Sequence, residues 1–317
     1  MKITDHLKYN DKTLFSFELL PPLKGDHIDS IYRTIDPLME FKPPYINVTY
    51  HREEVVFKEF PNGMLKKQVV RKRPGTVAIS AAILNKYKID VVPHIICGGF
   101  NREETENALI DLHFLGIENL MVLRGDADKS TKRFISEPDG HAYAVDLLKQ
   151  VVDLNKGKYL DDESENKTPT HFTAGVAGYP EKHNEAPNML SDLFFLKKKI
   201  EAGAEFIVTQ MFFDNQKYYD FVNACRNEGI TVPIIPGIKP IATKSQMSVL
   251  PQTFHIDIPE ALVKELIKCK NNEEARQVGI EWAVEQSKDL IRNKVAVIHF
   301  YTMGKSDNIE KIAKAVF

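Results

Sequence analysis

Three cysteines in 317 residues, no GxGxxG turn and no apolar run near ~20 residues set the first limits on this chain. Cys97, Cys225 and Cys269 lie far apart with no CxxC pair. Their odd number and spacing fit neither a disulfide framework nor a zinc site, and a reducing cytoplasm is the natural reading. The opening MKITDHLKYNDKTLF lacks the apolar core of a signal peptide. No sign of charge dominates either: 42 Lys and Arg stand against 44 Asp and Glu, a net charge of −2. That balance argues against a general nucleic-acid binder and against a polybasic membrane binder. Without GxGxxG a Rossmann dinucleotide site has no support. Gly304-Lys305-Ser306 looks like the end of a phosphate loop, but His299 stands where its first glycine belongs. With no HExxH and no clustered ligand set, no metal is expected.

What is present is an alternation. Short β-branched or aromatic runs occur at Thr13–Leu19, Tyr45–Tyr50, Val91–Cys97, Leu120–Leu123, Phe172–Ala177, Phe206–Gln210, Ile234–Ile238 and Val295–Tyr301. Between them apolar residues recur at helical spacing, as at Ala108, Leu109, Leu112 and Leu115. Strands followed by helices imply parallel pairing, and their nearly unbroken apolarity implies a sheet covered on both faces. Eight such units predict one α/β domain over residues 1–317, a (β/α)8 TIM barrel. Two segments break the rhythm. Residues 51–75 form a long charged elaboration after strand 2, and residues 155–170 read as a solvated, mobile surface loop. Residues 259–292 hold two extra helices before the last strand.

Active sites of such barrels gather at the C-terminal strand ends. Polar residues stand there in successive units: Glu18, Thr49, His94, Arg124 with Asp126, Tyr179, Gln210 and the group around Lys305. One alone means little; the series points to a catalytic barrel more than to a binding one. Glu18, in FSFELLPP, is either a desolvated general acid or a surface carboxylate before the turn at Pro21–Pro22. Arg124 and Asp126 flank Gly125, which permits close backbone approach; they either serve a ligand or pair with each other. A lone histidine such as His94 is more often structural than a ligand. Asp192 and Lys199, two helical turns apart, share a face that is either solvated or aimed at one ligand. Gln210 suits the edge of a heterocycle or local backbone groups equally.

FSFELLPP, NVTY, PHIIC, LRGD, GYPEKHNEA, DLFFLKKKIEAGAEFIVTQMFFD, IIPGIKPI and HFYTMGK follow one another in this order. Together they resemble the catalytic domain of the methylenetetrahydrofolate reductase family, from about Leu14 to about Lys305. The resemblance implies a barrel holding non-covalent FAD that reduces 5,10-methylenetetrahydrofolate to 5-methyltetrahydrofolate for one-carbon and methionine metabolism. NADH or NADPH would supply the electrons. It makes Glu18 the acid that opens the folate ring and places Asp126 beside the resulting cation. It assigns FAD binding to Thr49, Tyr50, His94, Arg124, Gly125, Asp126, Ala144, Tyr179, His183, Ala186, Asp192, Lys198 and Lys199. Gln210 and Lys305 would bind the folate, and Gln246, a weaker candidate, the folate or the nicotinamide. It also implies a homo-oligomer in the cytoplasm.

The chain departs from the family pattern at three points. VTYHREEVVF replaces the VTYGAGGS common after strand 2, Phe195 stands where Asn is frequent, and Met303-Gly304-Lys305 replaces Leu-Asn-Arg. Lys198 likewise stands where Arg is usual, keeping the charge without the bidentate fork. The chain ends soon after the barrel, so the S-adenosylmethionine response of longer animal relatives is not expected. Two competing readings are another FAD barrel such as proline dehydrogenase, which LRGD and TQ-x-FFD disfavour, and a non-catalytic folate-binding barrel.

Overall fold

The computed structural model describes residues 1–8, 12–127, 133–163 and 165–317. Its strands are β1 (Leu14–Leu19), β2 (Tyr45–Val48), β3 (Glu54–Glu59), β4 (Leu65–Val70), β5 (Asp90–Ile96) and β6 (Asn119–Leu123). They continue with β7 (Thr173–Gly178), β8 (Phe206–Thr209), β9 (Ile234–Ile235), β10 (Gly237–Ile238) and β11 (Val297–Tyr301). All but β3 and β4 pair in parallel, in the order β10-β11-β1-β2-β5-β6-β7-β8-β9. The two ends of that order are halves of one strand, interrupted at Pro236, which has no N–H to give to a ladder. The Pro236 carbonyl still accepts from the His299 N–H at 3.0 Å. The sheet therefore closes on itself as the expected eight-stranded α/β barrel.

The crossovers are helical: α1 (Ile3–Lys8) precedes β1, and α2 (Asp29–Ile35) runs into a 3-10 turn at Asp36–Phe41. The others are α3 (Thr76–Tyr87), α4 (Arg102–Phe114), α5 (Ala144–Leu154), α6 (Met189–Glu201) and α7 (Asn215–Asn227). Before β11 lie α8 (Gln246–Phe254), α9 (Glu260–Lys268) and α10 (Asn272–Arg292), and α11 (Asp307–Val316) closes the chain. Local chemistry sets their starts. Asn101 and Glu104 form a reciprocal capping box on α4, and Asn271 caps α10 through Glu273 and Glu274. None of the helices among the described residues is long and apolar enough to cross a membrane.

Strand parity sorts the core. Phe15, Phe17, Val91, Val122, Ile207 and Phe300 face outward into the helices. Tyr45, Val92, Met121, Phe206, Val208, Ile235 and Val297 face inward and form a separate cluster. Ile3 of α1 joins that cluster from below, its N–H held by Asn119 Oδ1 at 2.8 Å, so the lower barrel is plugged. The three cysteines are free and buried.

Residues 51–75 are the long charged elaboration expected after strand 2, and within them β3 and β4 form an antiparallel hairpin, with Gly63 at φ +77° in its turn. Alternating Val and Phe in β3 and Leu and Val in β4 satisfy the strand period despite the charges. Residues 155–170 are exposed over most of their described part, as expected of a solvated surface segment, and hydrogen bonds anchor them. Asn155 accepts from Thr170 Oγ1 and the Phe172 N–H, Tyr159 Oη donates to the Thr168 carbonyl, and Glu106 accepts from the Leu160 N–H. Part-buried and exposed hydrogen bonds within a polar sequence tie it to the barrel.

Candidate active site

The inward residues of the upper barrel differ in kind from those of the lower. Parity continues from Ser16 to Glu18 on β1, from Tyr45 to Asn47 on β2, from Val92 to His94 on β5, and from Val297 to His299 and Tyr301 on β11. Glu18 lies opposite Tyr301 on one side and Asn47 on the other. His94 Nε2 is 3.5 Å from Glu18 Oε2, and Ser16 Oγ is 2.9 Å from His299 Nδ1 one layer below. Thr302 Oγ1 donates to the Glu18 carbonyl at 2.7 Å, and Tyr301 Oη to the Thr209 carbonyl at 2.6 Å. Gly237 makes room for that tyrosine: a Cβ there would stand 2.6 Å from its ring.

Burial governs the charges of this cluster. It pushes the Glu18 carboxyl up to about 8 and pulls His94 and His299 down to about 3. Neighbouring imidazoles add to the histidine shifts, His51 acting on His94 and His94 on His299. At neutral pH the Glu18–His94 contact thus joins a protonated acid to a neutral imidazole and is not an ion pair. His299 Nε2 and Asn47 Oδ1 are buried without hydrogen-bond partners among the described residues.

The opposite wall is built from the ends of β6 and β7. Gly125 adopts φ +88°, and a Cβ would come within 3.1 Å of Ile96. The turn directs Arg124 to Glu185, which it binds through both guanidinium nitrogens at 2.7 Å. Arg124 therefore does not neutralise Asp126, whose side chain is exposed. Tyr179 and His183 meet edge to face at 4.7 Å. Asp192 accepts the His183 N–H at 2.8 Å, and Lys199 Nζ donates to the Ala177 carbonyl at 3.0 Å. The shared helical face thus clasps the β7 loop, and the Ala186 N–H closes a turn on the His183 carbonyl. Burial pulls Lys199 down to about 8, with Asp192 opposing.

Ala144 opens α5, Thr49 donates to the Leu19 carbonyl at 3.2 Å, and Tyr50 packs on Phe100 with ring centroids 4.9 Å apart. Lys198 is exposed, its ammonium 4.7 Å from the Phe194 ring centre. Gln210 spends its carbonyl oxygen on the Met211 N–H, and Gln246 spends its own on Ala242 and Thr243. Among the described residues no side-chain hydrogen bond joins Gln246 or the exposed Lys305 to the Glu18 cluster, although the Lys305 N–H donates to the Thr302 carbonyl at 3.1 Å. Two open clefts of about 580 and 380 Å³ lie at the opposite end, around Leu7 with Glu205 and around Asp90 with Leu115. Neither touches the polar layer, so the strand-end chemistry locates the site better than concavity does. Among the described residues no group of three or more His, Cys, Asp or Glu could hold a metal.

The methylenetetrahydrofolate reductase family profile matches residues 2–316. This chain belongs to that family. It is 30% identical to methylenetetrahydrofolate reductase (NADH) 1 of Arabidopsis thaliana over 99% of the chain and 50% of that protein. It is also 30% identical to the 5,10-methylenetetrahydrofolate reductase of Pectobacterium carotovorum over 92% of the chain and 86% of that protein. The chain spans about half the length of the plant relatives and most of the bacterial one. A Clostridium thermocellum protein, described as binding two copies of 5-methyl-5,6,7,8-tetrahydrofolic acid, shares the fold at TM-score 0.58 and 13% identity. That alignment covers 99% of this chain and 98% of the other.

Within the family frame, the interior polar residues Ser16, Asn47, His299 and Tyr301 escaped the sequence reading, as did the Arg124 partner Glu185. A signal existed for the first four. They stand two residues from Glu18 or on facing strands at the same parity. Lys239 shares that parity with Gly237 and is buried, its amine pulled down to about 8. Glu185 had no periodic signal, because only the fold of the β7 loop turns it toward Arg124.

Proposed function

We propose that the chain reduces 5,10-methylenetetrahydrofolate to 5-methyltetrahydrofolate, using FAD in the barrel mouth and a reduced nicotinamide as electron source. The carrying observation is Glu18: a carboxyl buried at the end of the first strand and pushed up to about 8 holds its proton at neutral pH. Such a group can serve as a general acid.

The residues present suit a flavin dinucleotide. Lys198 is an exposed cation without a carboxylate partner among the described residues, available to a phosphate. Gln210 keeps its amide nitrogen free of hydrogen bonds among those residues. Gly125, packed closely against Ile96, turns the chain beside Arg124, which lies near Tyr179 and His183, the groups expected to line the flavin. When bound and reduced, FAD supplies the hydride that turns the one-carbon unit into a methyl group.

The chain's own part is protonic and electrostatic. Glu18 gives its proton to N10 of the folate as the bond from N10 to the bridging carbon breaks. The carbon remains on N5 as an iminium cation. Asp126 has no ion-pair partner among the described residues and faces that cation, because Arg124 is committed to Glu185. His94 touches the carboxyl Glu18 presents, and the apolar floor below denies it water. The test separates two half-reactions. Glu18→Gln should bind FAD and accept electrons from NADH or NADPH at the wild-type rate, yet lose flavin reoxidation by methylenetetrahydrofolate. Equal loss in both, or a wild-type protein inert toward the folate, would overturn the proposal.

A further inference from the structure

Lys239 follows β10 on the wall of the barrel mouth. Ile235 faces inward and Ile238 outward, so alternation turns Lys239 inward with Gly237. β10 runs parallel to β11 with Ile238 opposite Phe300, a register that brings Lys239 level with Tyr301. Tyr301 in turn lies opposite Glu18, so the lysine stands two strands from the acid in the same layer. On its other side the Gly237 N–H donates to Thr209 Oγ1 at 3.0 Å, which seats β10 against the end of β8 and Gln210. Lys239 is 6% exposed. Among the described residues no carboxylate pairs with its amine and no acceptor takes its hydrogens. Lys199, also buried, differs: it donates to the Ala177 carbonyl and has Asp192 beside it. Glu18 holds its proton at neutral pH and offers Lys239 no charge. A buried cation without a partner costs folding free energy, and a lysine ammonium has hydrogens to give and nothing to accept. Its counterpart is therefore an acceptor that arrives from outside. Gln210 makes the same demand, because the Met211 N–H occupies its carbonyl oxygen and leaves its amide hydrogens to donate.

Resting on the folate reading above, we infer that Lys239 binds the substrate by donating to the ring carbonyl oxygen of its pterin. Depth selects that atom. The carboxylates of a folate sit on its flexible glutamate end, which trails toward solvent. The pterin enters first, because the bridge between N5 and N10 has to reach Glu18. Its ring system has one carbonyl, on the carbon next to the one that bears N5. A donor on that oxygen fixes the pterin against the β8–β10 side of the mouth and so sets where the bridge meets the acid. Lys239 takes no part in the proton transfer; it is a binding and positioning residue. The folding cost of an unpaired buried amine is offset only when the substrate is bound.

Calorimetric binding of 5-methyltetrahydrofolate to the oxidised holoprotein tests this. Lys239→Met should raise its dissociation constant at least ~10-fold, about 1.4 kcal/mol. FAD retention should not change, and the variant should melt at or above the wild-type temperature, since it loses an unpaired buried charge. A 4-amino analogue of the same ligand puts a donor where the carbonyl stood. Wild type should bind it at least ~10-fold more weakly than the 4-oxo form. Lys239→Met should bind the two about equally, a pattern that no folding defect produces. Equal affinity of wild type and Lys239→Met for 5-methyltetrahydrofolate would overturn the inference and leave the folate reading standing. Loss of FAD together with affinity, or a melting temperature well below wild type, would overturn it too. A wild-type protein that binds no 5-methyltetrahydrofolate would sink the folate reading itself.

Discussion

The lower and upper halves of the barrel interior use the same strands and the same inward parity, yet they do opposite work. Below, Tyr45, Val92, Met121, Phe206, Val208, Ile235 and Val297 interlock with Ile3 into an apolar plug. Above, Glu18, Asn47, His94, His299 and Tyr301 occupy equivalent positions and put ionisable groups where water is scarce. The difference teaches that the floor is part of the chemistry. Glu18 keeps its proton because it is buried above that plug and the Ser16–His299 pair, burial being the cause that raises its pKa.

The largest expected effect breaks the upper layer alone. Glu18→Gln should slow folate-dependent flavin reoxidation by about 10²–10⁴-fold in single-turnover kinetics, the usual contribution of a general acid. Breaking the floor should hit stability first. Phe206 sits over Gly175, where a Cβ would be 2.1 Å from its ring. Phe206→Ala should cost about 3–5 kcal/mol in denaturant unfolding, through lost burial and the cavity left behind. Water entering that cavity should also lower the upper pKa in the reoxidation pH profile.

A third test joins the two halves through pH. Glu18 has a folded pKa raised above its unfolded value of 4.5. Its contribution to stability is fully present below that unfolded value and falls away as pH rises through about 8. Glu18→Gln should therefore gain stability relative to wild type between pH 5 and pH 9, by up to ~4 kcal/mol. Parallel melting curves for the two proteins across that range would contradict a desolvated acid. The smallest expected effect concerns the wall. Arg124→Lys keeps the charge but loses the two-pronged bond to Glu185. FAD affinity of the apoprotein, followed by flavin fluorescence, should fall by roughly 10-fold, about 1.4 kcal/mol.

Much of this was legible beforehand because strands that end in polar residues announce a barrel mouth. Arg124 falls where the apolar run of β6 gives out, and Glu18 and His94 interrupt the apolar runs of β1 and β5 near their C-terminal ends. The inner polar layer was harder to see. Ser16 and His299 lie inside apolar runs, and only the pairing of β1 with β11 brings them to 2.9 Å. Arg124 could equally have paired with Asp126, and the sequence left both options open. Gln210 and Gln246 turn their carbonyl oxygens to nearby backbone, a local hydrogen-bond choice that residue type does not decide. In the hairpin, charge masked the period of two that Val55, Phe57, Leu65 and Val69 carry.

From composition and period alone came the eight parallel strands, their two-sided burial and the strand-end positions of the candidate acid and its wall, because these depend on spacing along the chain. Tertiary structure decided the rest. It selected which partner Arg124 holds, closed the sheet at Pro236 and sealed Glu18 above an apolar plug. Those outcomes depend on distances between residues far apart in sequence, and a carboxyl's proton affinity answers to its surroundings, which no local pattern specifies.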